Sequence, residues 1–576
     1  MLHKILEQRL QQAVGAVLPN ADAAAVRVRP CPDPRFGDYQ SNALMALAKA
    51  RGMNPRQLAA EVAGKLDIAA WCEPAEVAGA GFLNFRLKAA AIGRALREAA
   101  EGANMFFDKA VRPRTVIIDF SSPNVAKPMH VGHIRSTILG DALARMLRLL
   151  GHRVVTDNHI GDWGTQFGKL LAGWKRGLDR EKLRADPIAE MERLYKWINA
   201  ACETDPQALE NARQELVKLQ SGDEENLRIW REMIALSESQ FERVYARLGV
   251  KFDCRYGESY YNPLLKKTVD ELAARGIAHI SEGALAVFFD DDPELKDHPA
   301  LVRKSDGGYN YTTTDLATLL FRWEGGTWGG RPDEIIYVTG APQQLHFKQL
   351  FAIFRRWHPE ADAKLAHVWF GSVLGEDGKP FKTRAGDTVR LEDLLDEAEE
   401  RAFKAVSEKN PELDAAQRRE IARVVGLGAI KYADLSQNRQ SDYMFSWDKM
   451  LALQGNTAPY LLYAYTRVRS IFRKGGQNMQ LGGGDFVLSA PEELALGRRL
   501  LNFGLVLEGA AEEYRPNFLC GYLYELAGDF ARFYENCPVL KAQADTRATR
   551  LALCDLTARV LKQGLEALGI ETTEQM

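Results

Sequence analysis

The sequence predicts a multidomain α/β protein with a doubly wound, Rossmann-like parallel-sheet core, an α+β N-terminal domain and an all-α C-terminal helix bundle. Three observations lead to this prediction. The 576 residues correspond to about four domains at roughly 150 residues each. A nearly continuous apolar strand near residue 115 is followed by a loop, a helix and a second strand, which is typical of a parallel sheet covered on both faces. Beyond about residue 389, strand patterns give way to long amphipathic helices.

The composition excludes several classes of protein. Hydrophobic residues make up 46% of the chain and charged residues 26%, which excludes collagen-like and intrinsically disordered proteins. The net charge is −2, so any contact with nucleic acid must come from local patches. The seven cysteines have no CxxC spacing, so neither a disulfide framework nor a structural zinc site is expected.

The hydrophobic pattern gives no sign of a membrane segment. No apolar run approaches the roughly 18 residues that a membrane-spanning helix needs. The N-terminal residues interleave charged and glutamine side chains with apolar ones, which is typical of an amphipathic helix and not of a signal peptide. We therefore expect a cytoplasmic protein without membrane contacts.

The N-terminal domain is predicted to span residues 1–110. It combines helices with short strands, and a charged, proline-containing segment at 108–114 marks its end. The predicted helices cover 2–17, 42–51 and 55–66, and the predicted strands cover 25–28 and 81–87.

The predicted core domain spans residues 111–390. Its first strand, Thr115–Phe120, is followed by a helix that begins near His130 and ends at Gly151, because glycine is the preferred residue just beyond a helix. A second strand covers 152–157. Highly charged residues at about 175–250 predict a helical insertion. Further strands are predicted at 284–289, 334–338 and 367–370.

The remaining chain is predicted to be helical. A connection at 391–455 precedes an all-α domain at 456–576. The predicted helices cover 392–407, 415–434, 456–472, 492–513, 519–535 and 547–568.

The motif HVGH, which contains His130, Gly132 and His133, is the most informative chemical feature. It lies at the carboxyl end of the first core strand and at the start of a helix, where open α/β sheets bind ligands and where anions are favoured. The two imidazoles can donate to phosphate oxygens, while the glycine allows a flat base to approach the backbone. A metal-binding pair or an ordinary helix start remain alternatives. GxxxxGK[ST], GxGxxG and HExxH motifs are all missing.

Longer blocks around this motif resemble a known family. SSPNVAKPMHVGHIRST and DNHIGDWGTQFG resemble the HIGH-motif region of class I aminoacyl-tRNA synthetases of the arginyl type. FGDYQSNALMALAK and GFLNF resemble that family's additional N-terminal domain. YTTTDLAT, YVTGAPQQLHF and GEDGKPFKTRAGDTVRL resemble its catalytic blocks, and the segment that starts at DLSQNRQSDYMFSW resembles its helical domain.

The resemblance implies a two-step reaction. L-Arginine would attack the α-phosphate of ATP to give arginyl-adenylate and pyrophosphate, and the arginyl group would then pass to tRNA(Arg). ATP is a substrate, and Mg²⁺ is expected to accompany it, held mostly by phosphates and water. No structural metal is expected, and we expect a monomer. Another class I synthetase, of the glutaminyl or cysteinyl type, and a catalytically silent RNA-binding relative remain alternatives.

The resemblance also assigns the substrate sites. A guanidinium needs carboxylates and benefits from an aromatic ring. The family pattern implies arginine binding by Asp119, Asn124, Glu258, Tyr311, Asp315 and Gln343. It implies ATP binding by His130, Gly132 and His133, and catalysis by the two histidines. The KMSKS signature is replaced by FKTR, so Lys127, Lys379 and Lys382 are the candidate lysines for the phosphates, with Lys127 and Lys382 the catalytic candidates.

Contacts with tRNA are expected at both ends of the chain. The resemblance implies a contact of the N-terminal domain with the tRNA elbow through Phe36, Tyr39 and Asn84. The connection at 391–455 would contact the stem. Tyr460, Tyr463 and Arg467 lie among interleaved tyrosines and arginines that could stack on anticodon bases. Packing within the fold is the alternative role for these aromatic residues.

Overall fold

The computed structural model describes residues 1–22, 25–102, 105–379, 381, 389–475 and 486–576. The chain forms two compact units. The first contains Met1–Lys109, Ala452–Glu566 and Glu571–Met576, and the second contains Ala110–Leu451 and Ala567–Ile570. Within these described ranges, no helix is both long and apolar enough to cross a bilayer. The division into four domains stays a prediction.

The N-terminal part of the first unit is an antiparallel sheet covered by helices. The helices are α1 (Leu2–Val17), α2 (Ala43–Ala50), α3 (Pro55–Ala63) and α4 (Ala89–Glu101). The strands, β1 (Arg29–Pro30), β2 (Tyr39–Ser41), β3 (Glu76–Ala78) and β4 (Phe82–Phe85), have the order β1-β2-β4-β3.

The predicted strand at 25–28 is wrong. Val26 and Val28 are buried, which explains the apolar pattern. The backbone N–H of Val28, however, donates to Glu7 Oε2 at 3.0 Å and not to a neighbouring strand.

The second unit is built on a parallel sheet, as predicted. It begins with β5 (Thr115–Phe120), α5 (Val131–Leu149) and β6 (Arg153–Asp157). Both β6 and the later strand β10 pair with β5 in parallel, and the full order is β11-β10-β5-β6. Because β6 lies on one side of β5 and β10 on the other, the order reverses beside β5. Ligands of doubly wound sheets bind at such a point.

The helical insertion follows β6. It contains α6 (Gln166–Gly177), α7 (Arg180–Ala185), α8 (Pro187–Thr204), α9 (Pro206–Gln220) and α10 (Glu224–Leu248). An aspartate side chain caps the N-terminus of each of the last four helices. Proline at the first turn of α8 and α9 reinforces the boundaries. These local signals explain why the insertion could be predicted.

A small antiparallel sheet interrupts the core next. It follows α11 (Asn262–Ala274) and contains β7 (His279–Ser281), β8 (Ala284–Val287) and β9 (Ala300–Arg303). The strand predicted at 284–289 is present as β8, but it belongs to this antiparallel sheet and not to the parallel one. Glu282 and Gly283 both have positive φ and form a two-residue hairpin turn, which forces β7 and β8 to be antiparallel.

The parallel sheet is then completed. The elements are α12 (Tyr311–Trp323), β10 (Glu334–Val338), α13 (Gln344–Trp357) and β11 (Lys364–His367). The strand predicted at 367–370 corresponds to β11, which begins and ends several residues earlier than predicted. Next come β12 (Val373–Leu374), α14 (Leu391–Lys409), α15 (Ala415–Leu435), β13 (Tyr443–Met444) and α16 (Trp447–Met450). Because β13 pairs with β12, strands do not stop at residue 389.

The C-terminal part of the first unit is helical, as predicted. It contains α17 (Ala458–Gly475), α18 (Pro491–Leu501), α19 (Phe503–Glu512), α20 (Pro516–Asn536) and α21 (Ala544–Ala567). The predicted helix at 492–513 is divided at Asn502. The side-chain oxygen of Asn502 accepts a hydrogen bond from the Tyr39 hydroxyl at 2.9 Å, which gives this helix-breaking residue a packing role.

Candidate active site

A cavity of about 580 Å³ opens at the carboxyl ends of β5 and β10. Its floor includes Asp119 from β5 and Tyr337 from β10, which are paired in the sheet register. The cavity therefore lies where the strand order reverses. Its wall contains nine of the predicted site residues, namely Asp119, Asn124, His130, Gly132, His133, Glu258, Tyr311, Asp315 and Gln343.

The loop between β5 and α5 has an unusual backbone. Ser121, Ser122 and Ala126 all have positive φ, although none is glycine. Each such conformation costs on the order of 1–3 kcal/mol and persists only where other contacts enforce it. The hydroxyl of Ser136 accepts a hydrogen bond from the backbone N–H of Ser121 at 2.8 Å, and Asn158 Oδ1 accepts one from Ser122 at 3.1 Å. The fold thus holds this loop in one shape.

That shape places Asn124 against the loop after β6. Asn124 and Gly161 form an isolated parallel bridge, and the backbone N–H of Val125 donates to the Gly161 carbonyl at 3.0 Å. A Cβ atom on residue 161 would lie 2.2 Å from Asn124 Oδ1. Only glycine therefore allows the amide of Asn124 to take this position at the cavity.

His130 and His133 are arranged as two hydrogen-bond donors. His130 is the N-cap of α5, and its Nδ1 accepts from the backbone N–H of Gly132 at 3.0 Å. The backbone N–H of His130 donates to His133 Nδ1 at 3.1 Å, and the ring centroids are 4.0 Å apart. Because both Nδ1 atoms accept, each neutral ring carries its proton on Nε2.

The surroundings keep these rings neutral. Burial, followed by the charge of Lys127, lowers the pKa of His130, while burial and then His130 lower the pKa of His133 to about 3. At neutral pH, each Nε2 can therefore donate to an anion at the N-terminus of α5. A protonated Nε2 does not bind a metal, so the geometry disfavours the metal-pair alternative.

Acidic side chains gather on the cavity wall beside α12. Tyr311 and Asp315 are one helical turn apart on α12, as predicted, and Tyr311 is 65% exposed. Burial raises the pKa of Glu258 to about 7, while His159 opposes the shift and the charges of Asp315 and Asp162 add to it. A cation that enters this region would find carboxylates which repel one another in its absence.

Asp119 is part of a buried charge cluster. Its Oδ2 lies 2.8 Å from Arg322 Nη1, and Arg322 Nη2 donates to Asp157 Oδ2 at 2.7 Å. Asp119 and Asp157 are register partners on neighbouring strands, and the Arg322 side chain is fully buried. One guanidinium therefore contacts two carboxyl groups beneath the cavity floor.

Of the predicted lysines that the structure describes, neither Lys127 nor Lys379 is part of the cavity wall. Lys127 is exposed, and its Nζ lies 5.4 Å above the ring of Tyr195 on α8. Lys379 is exposed in a turn where its backbone N–H donates to Asp377 Oδ1 at 3.1 Å. Lys382 lies outside the described residues. The effect of Lys127 on the pKa of His130 nevertheless places its charge near the HVGH motif.

The residues predicted to contact tRNA differ in accessibility. Phe36 is 54% exposed, whereas Tyr39 and Asn84 are buried within the N-terminal sheet, which favours a packing role for these two. On α17, Tyr463 is 45% exposed and the half-buried Tyr460 packs against Tyr524. The guanidinium of Arg467 lies 4.6 Å from the ring of Tyr534.

Three residues of the site could not be identified from the sequence. His159 lines the cavity and donates from Nδ1 to the Tyr256 carbonyl at 3.0 Å. Arg322 and His346 contact the predicted acids Asp119 and Asp315. His159 and His346 belong to the blocks DNHIGDWGTQFG and YVTGAPQQLHF. The partner of each of the three residues lies on another element, however, so no local pattern could have shown the pairing.

The doubly wound sheet, with HVGH at the N-terminus of the helix after its first strand and an acid-lined cavity beside it, defines a class I aminoacyl-tRNA synthetase. Residues 99–447 match the family described as tRNA synthetases class I (R), catalytic domain. Residues 2–87 match the arginyl tRNA synthetase N terminal domain, and residues 461–576 match the DALR anticodon binding domain. The chain belongs to the arginyl-tRNA synthetase family.

Individual relatives are similar over their whole length. The chain is 45% identical to the arginine–tRNA ligase of Hahella chejuensis, with 100% of both chains covered, and 46% identical to that of Synechococcus elongatus, with 99% of both covered. The solved arginyl-tRNA synthetase of Thermus thermophilus is 28% identical, covers 100% of both chains and has a TM-score of 0.84.

Proposed function

We propose that this arginine–tRNA ligase activates L-arginine with ATP in the cavity beside β5 and β10. The observation that carries the proposal is that one cavity has acidic side chains in one part and neutral N–H donors in another. Carboxylates and an aromatic ring from Glu258, Asp315 and Tyr311 line one part, while two neutral imidazoles at the start of α5 line another. A guanidinium suits the first part and phosphate oxygens suit the second.

Each predicted arginine-binding residue has a role in this proposal. Glu258 and Asp315 pair with the guanidinium, and Tyr311 covers it. Asn124 and Gln343 bind the α-amino and α-carboxylate groups, and Asp119 supplies negative charge beneath the substrate. Alignment of the carboxylate with the α-phosphate then accounts for much of the rate enhancement.

The nucleotide is proposed to bind at the start of α5. Nε2–H of His130 and His133 donates to phosphate oxygens, and Gly132 leaves room for the nucleotide. Mg²⁺ enters with ATP, bound mostly to phosphate oxygens and water. Lys127 and, from FKTR, Lys382 stabilise the charge that builds on the leaving pyrophosphate, while Lys379 contributes to ATP binding.

The tRNA is proposed to contact the first unit and the connecting helices at 391–455. Phe36 and Tyr463 are the exposed members of the predicted sets, and Tyr460 and Arg467 are half-buried. Tyr39 and Asn84 would then support that surface from within the N-terminal sheet. We also propose that the enzyme acts in the cytoplasm and as a monomer.

An aminoacylation assay with a panel of amino acids tests the function. Purified tRNA(Arg) should be charged with arginine, while lysine, glutamine and citrulline should give no product above background. Asp315→Asn should raise the Michaelis constant for arginine and leave that for ATP near its original value. Specific binding of tRNA(Arg) without charging of any amino acid would instead support the catalytically silent alternative.

A further inference from the structure

We propose that His346 is a positioning residue that aims the side chains which bind the guanidinium of arginine. The inference rests on the proposed roles of Asp315 and Tyr311 in the cavity. Both of those residues belong to α12, whereas His346 is the third residue of α13 and lines the same cavity.

His346 contacts both α12 residues. Its Nε2 lies 2.6 Å from Asp315 Oδ2, with side chains that are 13% and 27% exposed. The ring of Tyr311 meets the His346 ring edge-on, at a centroid distance of 4.9 Å and an angle of 72°. The next residue, Phe347, packs against His346 at 5.3 Å. One imidazole thus touches the acid and the aromatic residue that the substrate would contact.

The hydrogen bond restricts how Asp315 can turn. A carboxylate has a broad preference about its last torsion, so without a partner it would sample many orientations. Nε2–H of His346 donates to Oδ2 and fixes it, and among the described residues no protein group donates to Oδ1. One oxygen atom of Asp315 is therefore held by the protein, while the other stays available for a planar guanidinium.

Three substitutions separate the effect of the N–H donor from that of the ring. His346→Gln keeps an N–H donor at about the distance of Nε2 but removes the ring. His346→Phe keeps a ring against Tyr311 but removes the donor, and His346→Asn keeps polarity with a side chain too short to reach Asp315. If the donor positions Asp315, the glutamine variant should be close to wild type and the other two should be impaired.

The expected impairment is specific for the guanidinium. His346→Phe and His346→Asn should raise the Michaelis constant for arginine about 10- to 100-fold, the range of a hydrogen bond to a charged group. Inhibition by agmatine, which carries the guanidinium without the α-carboxylate, should weaken by the same factor. The Michaelis constant for ATP and the turnover number at saturating arginine should change less than about threefold. A merely structural role would not produce this split.

His358→Gln is the matched control. His358 lies just beyond α13, and its Nδ1 is 3.0 Å from Glu360 Oε1, but neither residue lines the cavity. This variant should leave all constants unchanged. Thermal melting should show that each variant is folded, and the asparagine variant provides the test if the phenylalanine variant does not fold.

Asp315→Asn, measured in parallel, distinguishes failure of the inference about His346 from failure of the proposed arginine site. If Asp315→Asn raises the Michaelis constant for arginine but His346→Asn and His346→Phe do not, His346 has no positioning role and the proposed arginine site stands. If Asp315→Asn has no effect on that constant, the proposed arginine site is wrong and the inference about His346 falls with it.

Discussion

At the scale of single residues, Glu258 links arginine binding to pH. Burial raises its pKa to about 7, with His159 opposing and Asp315 and Asp162 adding to the shift. Below this pKa the carboxyl group is protonated and cannot pair with a guanidinium, so arginine affinity should fall as the pH drops from 8 to 6. We expect the Michaelis constant for arginine to rise over this range and to respond much less in Glu258→Gln. An equal pH response in both enzymes would show that another group is responsible.

Glu258 should also affect the stability of the fold. As the pH rises, this residue should lower the stability, whereas it should strengthen arginine binding. Because the pKa of Glu258 is higher in the folded than in the unfolded chain, the folded protein binds more protons between its ordinary pKa and pH 7. This carboxyl group therefore destabilises the fold progressively as the pH rises through that window. Glu258→Gln should consequently melt at a higher temperature than the wild type at pH 8, while arginine binding is impaired.

Lys127 and Lys382 are the candidates to replace the missing KMSKS lysine. The charge of Lys127 acts on His130, and its position over Tyr195 ties it to α8. We expect Lys127→Ala to lower the turnover number of adenylate formation about 100-fold or more, the scale of one lost transition-state donor. Lys382→Ala should mainly weaken ATP binding. The reverse ranking would show that the FKTR segment keeps the usual KMSKS role.

Some residues of the site could be predicted from the sequence and others could not. The difference is whether the residues that act together lie close to one another in the sequence. HVGH could be predicted because the motif, the preceding strand and the following helix are contiguous in sequence. Tyr311 and Asp315 could be predicted as neighbours because one helical turn separates them. His346 and Arg322 could not, because their partners lie on other elements and depend on how α12 packs against α13 and the sheet.

At the scale of elements, the approach of two loops at Asn124 and Gly161 determines the shape of the cavity. A Cβ on residue 161 would lie 2.2 Å from Asn124 Oδ1, so Gly161→Ala must displace that amide. We expect at least a tenfold loss of kcat/KM for arginine, since misplaced substrate contacts are costly in rate. Gly521→Ala in α20, where an added Cβ meets nothing within 4 Å, should leave activity unchanged. Unchanged activity in both variants would contradict the role of Asn124.

Elements with strong local signals were predicted well, and short strands were not. The aspartate caps and N-terminal prolines identify the helical insertion from sequence alone. The hydrophobic strand β8 looks like a parallel core strand, yet the turn at Glu282 and Gly283 places it in the antiparallel sheet. The two-residue strand β13 depends entirely on its pairing with β12, so no periodicity could indicate it.

At the scale of the whole molecule, the segment that contains FKTR joins parts of the catalytic unit that are distant in sequence. Before this segment, β12 pairs with β13, which lies just before α16. After it, Arg390 is bridged to His130, and the backbone N–H of Val131 donates to the Val389 carbonyl at 3.1 Å. The HVGH motif is therefore in direct contact with the two residues that precede α14.

This connection, together with the arginyl resemblance, predicts that arginine activation requires tRNA. Binding of tRNA would supply the differential binding energy that completes the ATP site. We expect arginine-dependent exchange of pyrophosphate into ATP only when tRNA(Arg) is present. Periodate-oxidised tRNA(Arg), which can bind but cannot accept arginine, should still support some exchange, whereas a non-cognate tRNA should not. Rapid exchange with arginine and ATP alone would show that the catalytic unit is already complete without tRNA.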